Sequence, residues 1–383
     1  MTLTDASSDP RPLRFIQFLT EKGLKADLIS YPHSKEVGYE ISEFFQLPEA
    51  RFDFWSRIVR KFWSLSPIFT FIIPSKKVTD LIIQKRFEID NLYRKLSEKE
   101  YDILVVQDLF LLPLAFLLKK GAKIIFDARE YYPSQNEESL FFRMFEKPER
   151  LRLCRNYLHQ CDQILTVSFG LKKQYEADFD VHVEVFQSIP NFSDYQPAAV
   201  SESNFKIVHH GMANRNRQIE NMIETVKRLD DRFTLDLYLK GDRFYMNELK
   251  NLIQDDPRIR ILDPVPYEKI VETLNNYDIG LFYVEPTTFN LKHCLPNKLF
   301  EFIQGRLMVA IGPSPDMKKV VYGYNCGVVS DEFTVESMAK ALSDINADEI
   351  LKYKKNSHDA ASVLCFENER KILDDLLIKW SYE

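Results

Sequence analysis

The stretch His293-Cys-Leu-Pro-Asn-Lys-Leu-Phe-Glu301-Phe-Ile-Gln-Gly305, followed by the apolar run 307–311, is the part of the sequence that most directly indicates the fold. Pro296 stands where a helix can begin, because a proline in the first turn costs no hydrogen bond. Gly305 stands where such a helix can end. A short helix that leads directly into an apolar strand is typical of an α/β domain.

The start of this predicted helix is suited to binding an anion. The first backbone amides of a helix have no partner inside it, and they lie at the positive end of the helix dipole. Lys298 would add a positive charge beside a bound diphosphate, and Glu301 could accept both hydroxyl protons of a ribose. The spacing alone is equally compatible with an ordinary capped helix that carries a solvated lysine and glutamate.

Outward from this stretch, short aliphatic runs alternate with segments of helical period, a pattern that predicts parallel sheets covered by helices. The main predicted helical segments are 109–119, 141–160 and 217–229. Asp108 precedes the first of them, and we interpret it as a helix cap. The predicted strands are 26–30, 69–73, 102–105, 122–126, 163–167, 182–186, 205–209, 233–238, 259–262, 278–283, 307–311 and 327–329.

The 383-residue length and an interruption of the pattern at 189–204 predict two domains. We expect an N-terminal Rossmann-like domain over 1–190 that binds the acceptor, and a C-terminal Rossmann-like domain over 205–365 that binds a nucleotide-sugar. A last helix over 366–383 would pack back toward the N-terminal domain. Because ligands bind at the carboxyl ends of parallel strands, the site is expected in a cleft between the domains.

Composition excludes some classes of protein. The net charge of -6 gives no general attraction to nucleic acid, and the five cysteines are scattered without a C-x-x-C pair. The polar, acidic first ten residues lack the order of a secretory signal, and the longest apolar run, 109–118, is too short to span a bilayer. We therefore expect a cytoplasmic protein.

Other ligand motifs are missing or weak. The sequence has no G-x-G-x-x-G after the first strand and no G-x-x-x-x-G-K-[ST], which disfavours a nicotinamide dehydrogenase and a P-loop enzyme. Asp178-Phe-Asp180 is a single D-x-D triplet in a charged segment, which we interpret as surface. No metal and no cofactor are predicted.

Several segments together resemble the retaining glycosyltransferase family 4 (glycosyl transferases group 1), which has the GT-B fold. The helix at 295–302 is similar to the donor-site helix of that family, and other similar segments follow in the family's order: Asp127-Ala-Arg-Glu-Tyr-Tyr-Pro133, Leu165-Thr-Val-Ser168, Ile189-Pro-Asn191, His209-His-Gly211 with Arg217, and Asp278-Ile-Gly-Leu281. The resemblance covers nearly the whole chain. It implies an α/β protein with two Rossmann-like, doubly wound domains that face each other across a cleft.

The resemblance also implies donor-site residues. The family has two glutamates separated by seven residues; Glu301 matches the second, which touches the ribose, whereas His293 stands in place of the first, which touches the sugar. A plain loop histidine is the alternative for His293. The resemblance further implies that Leu295 and Asn297 contact the donor and that Lys298 lies beside its phosphates.

A second group of residues is implied near the diphosphate and the transferred sugar. Arg217 matches the phosphate-binding cation of the family, although Met212 replaces the basic residue that commonly follows Gly211. Arg129 and Glu130 lie where the family often has the run Asp-Ala-His-Glu. Arg129 could contact a phosphate or an anionic acceptor, and Glu130 a sugar hydroxyl; a structural Arg–Glu pair at a strand end is the alternative.

The function implied is a hexosyltransferase-like glycosyltransferase, retaining, that moves a sugar from a nucleotide-sugar to an acceptor hydroxyl in polysaccharide or glycoconjugate biosynthesis. The acceptor would be a saccharide or a lipid-linked sugar, and no nucleic acid is expected as a partner. Two alternatives remain: a nucleotide-sugar epimerase of the same fold, and a non-catalytic nucleotide-sugar-binding protein.

Residues 51–63 carry aromatic and apolar side chains at helical spacing, with arginines and a lysine between them. Such a helix could lie on the anionic inner face of a membrane, which would make the protein peripheral there. A helix packed on its own domain with a basic outer face is the alternative.

Overall fold

The computed structural model describes residues 1–48 and 62–381. The chain forms two compact units. The first contains Met1–Phe186 and Thr288–Asn290, and the second contains Gln187–Thr287 and Leu291–Glu383. Each unit has its own apolar core built around a parallel sheet.

The first unit contains a two-stranded and a four-stranded parallel sheet, ordered β1-β2 and β3-β4-β5-β6. Backbone hydrogen bonds place residues 1–4 between β1 and β3: Thr2 N donates to Ile29 O and Gln107 N donates to Met1 O, both at 2.9 Å. The strands are β1 Asp27–Ser30, β2 Glu43–Gln46, β3 Ile103–Val106, β4 Lys123–Ala128, β5 Gln163–Thr166 and β6 Glu184–Val185.

Helices connect these strands. The turn Phe142–Glu146 is a π-helix, and the segments Leu109–Leu111, Tyr132–Ser134 and Leu158–Gln160 are short 3₁₀ turns. The α-helices are α1 Pro10–Glu21, α2 Ser66–Ile72, α3 Lys76–Arg86, α4 Ile89–Leu96, α5 Leu112–Leu118, α6 Lys147–Tyr157 and α7 Phe169–Phe179.

The second unit is built on one six-stranded parallel sheet in the order β12-β11-β10-β7-β8-β9. The four residues of β10 and the four of β11 are all buried, which explains why both strands read as continuous apolar runs in the sequence. The strands are β7 Phe205–Ala213, β8 Phe233–Gly241, β9 Ile259–Leu262, β10 Ile279–Phe282, β11 Met308–Ile311 and β12 Gly327–Val329.

Short 3₁₀ turns at Arg215–Arg217 and Tyr267–Lys269 precede two helices of this unit. Of the helices in the second half of the chain, one begins in the segment Thr288–Asn290 that belongs to the first unit. They are α8 Ile219–Lys227, α9 Arg243–Leu252, α10 Ile270–Leu274, α11 Phe289–Lys292, α12 Asn297–Gln304, α13 Pro315–Gly323, α14 Val335–Ser343, α15 Ala347–Val363, α16 Phe366–Glu369 and α17 Lys371–Ser381.

The predicted strand at 69–73 is wrong, because this segment belongs to helix α2. Its aromatic and β-branched residues favour a strand locally, but Pro67 stands in the first turn of a helix, where its fixed backbone angle is favourable. The remaining predicted strands are confirmed within a few residues at each end, except that β7 and β8 run several residues further than predicted. Strand β2 is not among the predicted strands.

The irregular segment at 189–204 is confirmed as a region without helix. It belongs to the second unit, and its first residues are hydrogen-bonded there to the buried side chains of Gln304 and Arg306. Ser193 N donates to Oε1 of Gln304 at 3.0 Å, and Nε of Arg306 donates to the carbonyl oxygen of Tyr195 at 3.0 Å. The expected packing of 366–383 against the N-terminal domain stays a prediction.

Residues 51–61 of the predicted basic aromatic helix lie outside the described residues, and only Phe62 and Trp63 of it are described. Within residues 1–48 and 62–381, none of the helices combines the length and the apolar character that crossing a bilayer requires.

Candidate functional site

Helix α12 begins as the sequence predicts. Pro296 occupies the N-cap position with an extended backbone, and no side chain caps the first turn. The helix is held by a wide apolar face, with Leu299, Phe300 and Phe302 buried in the core. The uncapped amides at its start therefore remain suited to an anion. Gly305 ends the helix as predicted, and the residue with a left-handed backbone is the next one, Arg306, at φ 62°.

Lys298 lies half-buried beside the end of strand β7. Its Nζ is 4.8 Å from the centre of the Phe282 ring, and a β-carbon added to Gly211 would stand 3.1 Å from Nζ. Gly211 also has a backbone φ of +126°, which side chains rarely adopt. Position 211 thus has two reasons to be glycine, and one of them is the space that Lys298 occupies.

Arg217 lies close enough to Lys298 for their charges to interact. Burial, together with the charge of Arg217, lowers the pKa of Lys298 to about 7. Arg217 itself is half-buried at the end of the 3₁₀ turn that follows β7. Two cations that repel each other in a half-buried position are stabilised when an anion binds between them. The structure therefore brings together the two cations that the sequence analysis assigns to the diphosphate.

Glu301 is buried one helical turn after Lys298, and Nε2 of His210 lies 3.2 Å from its Oε2. The ring of His210 also packs edge-on against Phe302, with ring centres 5.8 Å apart. These contacts place an imidazole nitrogen beside the carboxylate. His210 stands in the motif His209-His-Gly211, but the sequence does not show its role beside Glu301, because its partners lie about ninety residues away in the chain.

His209, next to it in the strand, is fully buried in the core. Its Nδ1 lies 2.9 Å from the carbonyl oxygen of Leu281, so Nδ1 carries the proton in this bond. Burial and the nearby charge of Lys298 lower the pKa of His209 well below its ordinary value, which keeps the ring neutral. His209 thus packs behind the site as an uncharged ring, stacked on Phe282.

His293 is anchored by an aspartate that the sequence analysis missed. Nδ1 of His293 lies 2.8 Å from Oδ2 of Asp316, whose side chain is 1% exposed. Nζ of Lys319 lies 3.7 Å from the other carboxylate oxygen. Asp316 is in the first turn of α13, where a carboxylate is favourable, and Ser-Pro-Asp at 314–316 is the local signal for that turn. The contact to the donor sugar stays a prediction, and so does the alternative of a plain loop histidine.

Two other sequence-predicted donor residues have different surroundings. Leu295 is buried and packs within the core of the second unit. Asn297 is half-buried and is the first residue of α12. Their predicted contacts with the donor stay predictions.

On the first unit, Arg129 directly follows strand β4 and pairs with two carboxylates. It donates to Asp9, and its Nη2 lies 3.6 Å from Oδ2 of Asp108. Burial opposes the charge of Arg129, but Asp108 and Asp9 outweigh it and raise the pKa above the ordinary arginine value. Asp108 makes no cap bond to the turn that follows it, so its predicted capping role is wrong; it accepts instead from Leu3 N at 2.7 Å.

Glu130 is bonded to Gln135, whose Nε2 donates to Oε1 at 2.6 Å. Burial, partly offset by the charge of Arg129, raises the pKa of Glu130 to about 7. Such a carboxyl group can hold or release a proton near neutral pH. The preceding Asp127 is buried in bonds to Arg11 and Gln107, which gives it a structural role.

A pocket of about 370 Å³ opens beside the same loop of the first unit. Aromatic rings and hydrogen-bonding groups line it together, a combination found in sites that bind small molecules. Tyr131 donates to Asp178 across one side, and Gln174 Nε2 donates to the same carboxylate at 2.9 Å. The predicted surface position of Asp178 is confirmed, since its side chain is exposed at the rim. Other lining residues are Ser134, Glu137, Lys147, Leu151, Arg155 and Phe289.

No family model and no curated protein matches the chain. Solved structures do match over almost its whole length. Sucrose-phosphate synthase from Thermosynechococcus elongatus aligns with a TM-score of 0.73 at 12% identity, over 98% of this chain and 98% of that one. Anabaena HepE in complex with UDP-glucose aligns with a TM-score of 0.67 at 11% identity, over 98% of both chains.

A third similar structure is a mutant of TarM from S. aureus, crystallised with fondaparinux, alpha-GlcNAc-glycerol and UDP. It aligns with a TM-score of 0.61 at 12% identity and covers 76% of this chain. This chain spans 58% of the length of TarM. At such identities the likeness bears on the fold alone. The protein is an α/β chain with parallel sheets, and it has the GT-B fold.

Proposed function

We propose that this protein is a glycosyltransferase that moves a sugar from a nucleotide-sugar to an acceptor hydroxyl. The observation that carries the proposal is the position of Lys298: it lies against Gly211, at the uncapped start of α12, within electrostatic range of Arg217. Helix amides and paired cations are the groups that bind a diphosphate without a metal. The fold and the sequence resemblance both support this function.

In the proposed reaction, the sugar-to-phosphate bond breaks while the acceptor hydroxyl attacks the sugar. Negative charge then develops on the departing nucleotide diphosphate. Lys298, Arg217 and the amides of α12 would stabilise that charge. Because these groups are fixed by the fold before the reaction, little reorganisation is needed when the charge appears. No metal is required for this step, and its absence remains a prediction.

Glu301 is the proposed ribose ligand. Its carboxylate is held beside His210 and has two oxygen atoms that could accept the two ribose hydroxyl protons. His293 is the proposed contact to the donor sugar, positioned by its bond to Asp316. The two residues would thus take the roles of the two family glutamates, with the first replaced by an anchored imidazole.

On the acceptor side, we assign Arg129 and Glu130 to the surroundings of the transferred sugar. Arg129 already has two carboxylate partners, so a phosphate would have to compete with Asp9 and Asp108 for it. We therefore propose that Arg129 acts on Glu130 through its charge, which partly offsets the effect of burial on the pKa of Glu130. The pocket beside Tyr131 is the proposed place for a saccharide acceptor, because aromatic rings cover sugar faces while carboxylates bind hydroxyl groups.

The finer features follow the family resemblance. Membership of family 4, a retaining outcome, transfer of a hexose and a role in polysaccharide or glycoconjugate biosynthesis are part of the proposal. Uridine nucleotides are the first donors to test, because the similar HepE and TarM structures contain UDP-glucose and UDP.

The test begins with binding. Calorimetry of the full chain with UDP, GDP and ADP and their sugar conjugates should identify one nucleotide that binds. Lys298→Ala and Arg217→Ala should each weaken binding of that nucleotide by about tenfold or more, because charge-assisted bonds to phosphate are lost. Arg215→Ala is the matched control, because Arg215 lies in the same 3₁₀ turn as Arg217 but is exposed and pairs with Glu248 of α9.

Product analysis then separates the alternatives. Transfer to an acceptor supports the glycosyltransferase, release of a free sugar without an acceptor indicates an epimerase, and binding without turnover indicates a non-catalytic protein. The replacement of the first family glutamate by His293 is the observation that keeps the last alternative open. Binding that is unchanged in both Lys298→Ala and Arg217→Ala would contradict the proposed site.

A further inference from the structure

Helix α2 carries its apolar side chains on the side that faces water. Leu65, Phe69 and Ile72 are spaced by three or four residues, so they lie on one face of a helical segment. Their exposed fractions are 45%, 46% and 66%. A helix on the surface of a water-soluble protein has the opposite arrangement, with its apolar face turned to the core.

The inward side of the same helix is polar and is firmly anchored. Ser66 and Thr70 are buried; Nη2 of Arg86 donates to Oγ of Ser66 at 2.6 Å, and Thr70 donates to Glu149 at 3.2 Å. Arg86 and Glu149 form an ion pair of 2.8 Å beneath the helix. These bonds fix the rotation of the helix, so the outward position of its apolar residues is determined by the fold.

Neighbouring side chains extend this apolar surface. Phe71 packs edge-on against Phe145, with ring centres 5.5 Å apart, which joins α2 to the π-helical turn Phe142–Glu146. Exposed residues of both segments form a surface that we call the apolar face: Phe62, Leu65, Phe69, Phe71, Ile72, Ile73, Leu140 and Met144. Large exposed apolar side chains gathered on two joined segments are typical of a place of interaction.

The sequence on either side of α2 is rich in lysine and arginine. From residue 54 to residue 79 the sequence has no aspartate or glutamate, and it has the cations Arg57, Arg60, Lys61, Lys76 and Lys77. Lys76 and Lys77 are exposed directly after the helix. Acidic residues are also present: Asp80 follows these lysines in α3, and Glu149 accepts from Thr70 beneath α2. By the π-helical turn, Glu137 and Glu138 precede it and Glu146 pairs with Arg150 at 2.9 Å.

We propose that the apolar face docks on an anionic lipid bilayer, with α2 lying in the plane of the membrane surface. Apolar side chains would enter the boundary of the acyl region while the flanking cations meet anionic headgroups. A second copy of the chain is a poorer occupant, because a symmetric contact would bring the same cations against each other. The proposal does not depend on the transferase reaction.

The experiment is flotation of the full chain with two kinds of vesicle, phosphatidylcholine alone and phosphatidylcholine mixed with phosphatidylglycerol. We expect binding to the mixed vesicles that weakens as salt is added. The double variant Phe69→Ser/Ile72→Ser should lower that binding by about tenfold or more, and Lys76→Glu/Lys77→Glu should lower it only on the anionic vesicles.

The control variant is Phe244→Ser, which removes an even more exposed ring, 77% exposed, from the second unit. It should leave vesicle binding unchanged. Circular dichroism and thermal unfolding should show that the surface variants fold. Failure of the parent protein to bind anionic vesicles at low salt, or equal binding by parent and Phe69→Ser/Ile72→Ser, would overturn the proposal. So would a dimer in sedimentation velocity that the double variant converts to monomer, since the face would then be a contact between copies.

Discussion

Nδ1 of His293 lies 2.8 Å from Oδ2 of the buried Asp316, and this bond turns a loop histidine into a positioned side chain. A carboxylate that accepts from one ring nitrogen fixes the orientation of the imidazole, as outer-shell carboxylates do in many binding sites. The donor-sugar position of the proposed site therefore depends on two residues from separate segments of the second unit.

Replacing either residue should weaken binding of the sugar part of the donor and leave binding of the nucleotide part unchanged. We expect His293→Ala to keep the Kd of the free nucleoside diphosphate within about twofold of the parent value. The same variant should weaken binding of the nucleotide-sugar by about tenfold. Asp316→Asn should cause a smaller loss of the same kind, because the imidazole is kept while its anchor is weakened. Calorimetry with both ligands measures the difference. Equal losses for nucleotide and nucleotide-sugar would instead indicate a general collapse of the loop.

Nucleotide-sugar affinity should depend on pH through Lys298. Its pKa in the folded chain is about 7, and a bound diphosphate raises the pKa of a lysine beside it. Below about pH 7 the lysine is already protonated, so affinity is constant; above it, binding must take up a proton, and affinity should fall by up to about tenfold per pH unit.

Titrations of a nucleotide-sugar from about pH 6 to about pH 8.5 test this dependence, because the diphosphate linkage carries the same charge throughout that range. Lys298→Met should bind the nucleotide-sugar more weakly than the parent at low pH. Its affinity should then stay constant as pH rises. A slope that persists in Lys298→Met would assign the titration to another group.

Gly211→Ala should displace Lys298. The added β-carbon would stand 3.1 Å from Nζ, and the backbone φ of +126° would also be strained by a side chain. We expect a loss of stability of about 1 to 2 kcal/mol in urea unfolding and a loss of nucleotide affinity of about tenfold. Gly323→Ala is the control, because a β-carbon there meets nothing within 4 Å and the helix ends at that residue. Unchanged affinity in Gly211→Ala would separate Lys298 from the phosphate site.

Glu130 should reduce the stability of the protein at alkaline pH. Its pKa in the folded chain, about 7, is above the usual value for a glutamate, so the folded state holds the proton more tightly than the unfolded state. The stability contributed by this proton is complete at acid pH and is lost as pH rises through 7. Glu130→Gln should therefore be more stable than the parent at about pH 8, by on the order of 1 to 3 kcal/mol. The difference between variant and parent should be smaller near pH 5.

Urea unfolding at the two pH values measures this effect, with Glu138→Gln as the control at an exposed position in the same loop region. Turnover of Glu130→Gln should fall at the same time if the carboxylate contacts the transferred sugar. A variant that gains no stability at about pH 8 would show that Glu130 ionises normally in the folded chain.

Elements with a local signal could be predicted from the sequence. Strands β10 and β11 are buried on all sides and read as apolar runs, and α12 carries both its Pro296 start and its Gly305 end. Strand β2 could not be found, because only one of its four residues is buried and an edge strand needs no apolar pattern. The sequence of helix α2 resembles that of a strand, because aromatic residues favour strands. Its buried residues Ser66 and Thr70, however, have a helical spacing.

Candidate site residues could be named from the sequence where a residue type carries chemistry at a fixed place in a motif. Lys298, Arg217 and Glu301 are such residues, and in the structure the charge of Arg217 acts on Lys298 and helps to lower its pKa. His210 and Asp316 could not be found, since their roles come from contacts across the fold, with Glu301 and His293 respectively. The carboxylate partners of Arg129 could not be found for the same reason. Asp9, for example, lies at the start of α1, far from Arg129 in the sequence.

The buried side chain of Arg306 has a practical consequence for dividing the protein. Its guanidinium donates to the carbonyl oxygens of Ser193, Tyr195 and Gln304, so the first residues after the first unit serve as its acceptors. A truncated C-terminal half that starts at residue 205 would leave a buried cation without those acceptors, whereas one that starts at Gln187 would retain them. The shorter piece should therefore melt at the lower temperature, although it lacks no strand or helix of its sheet.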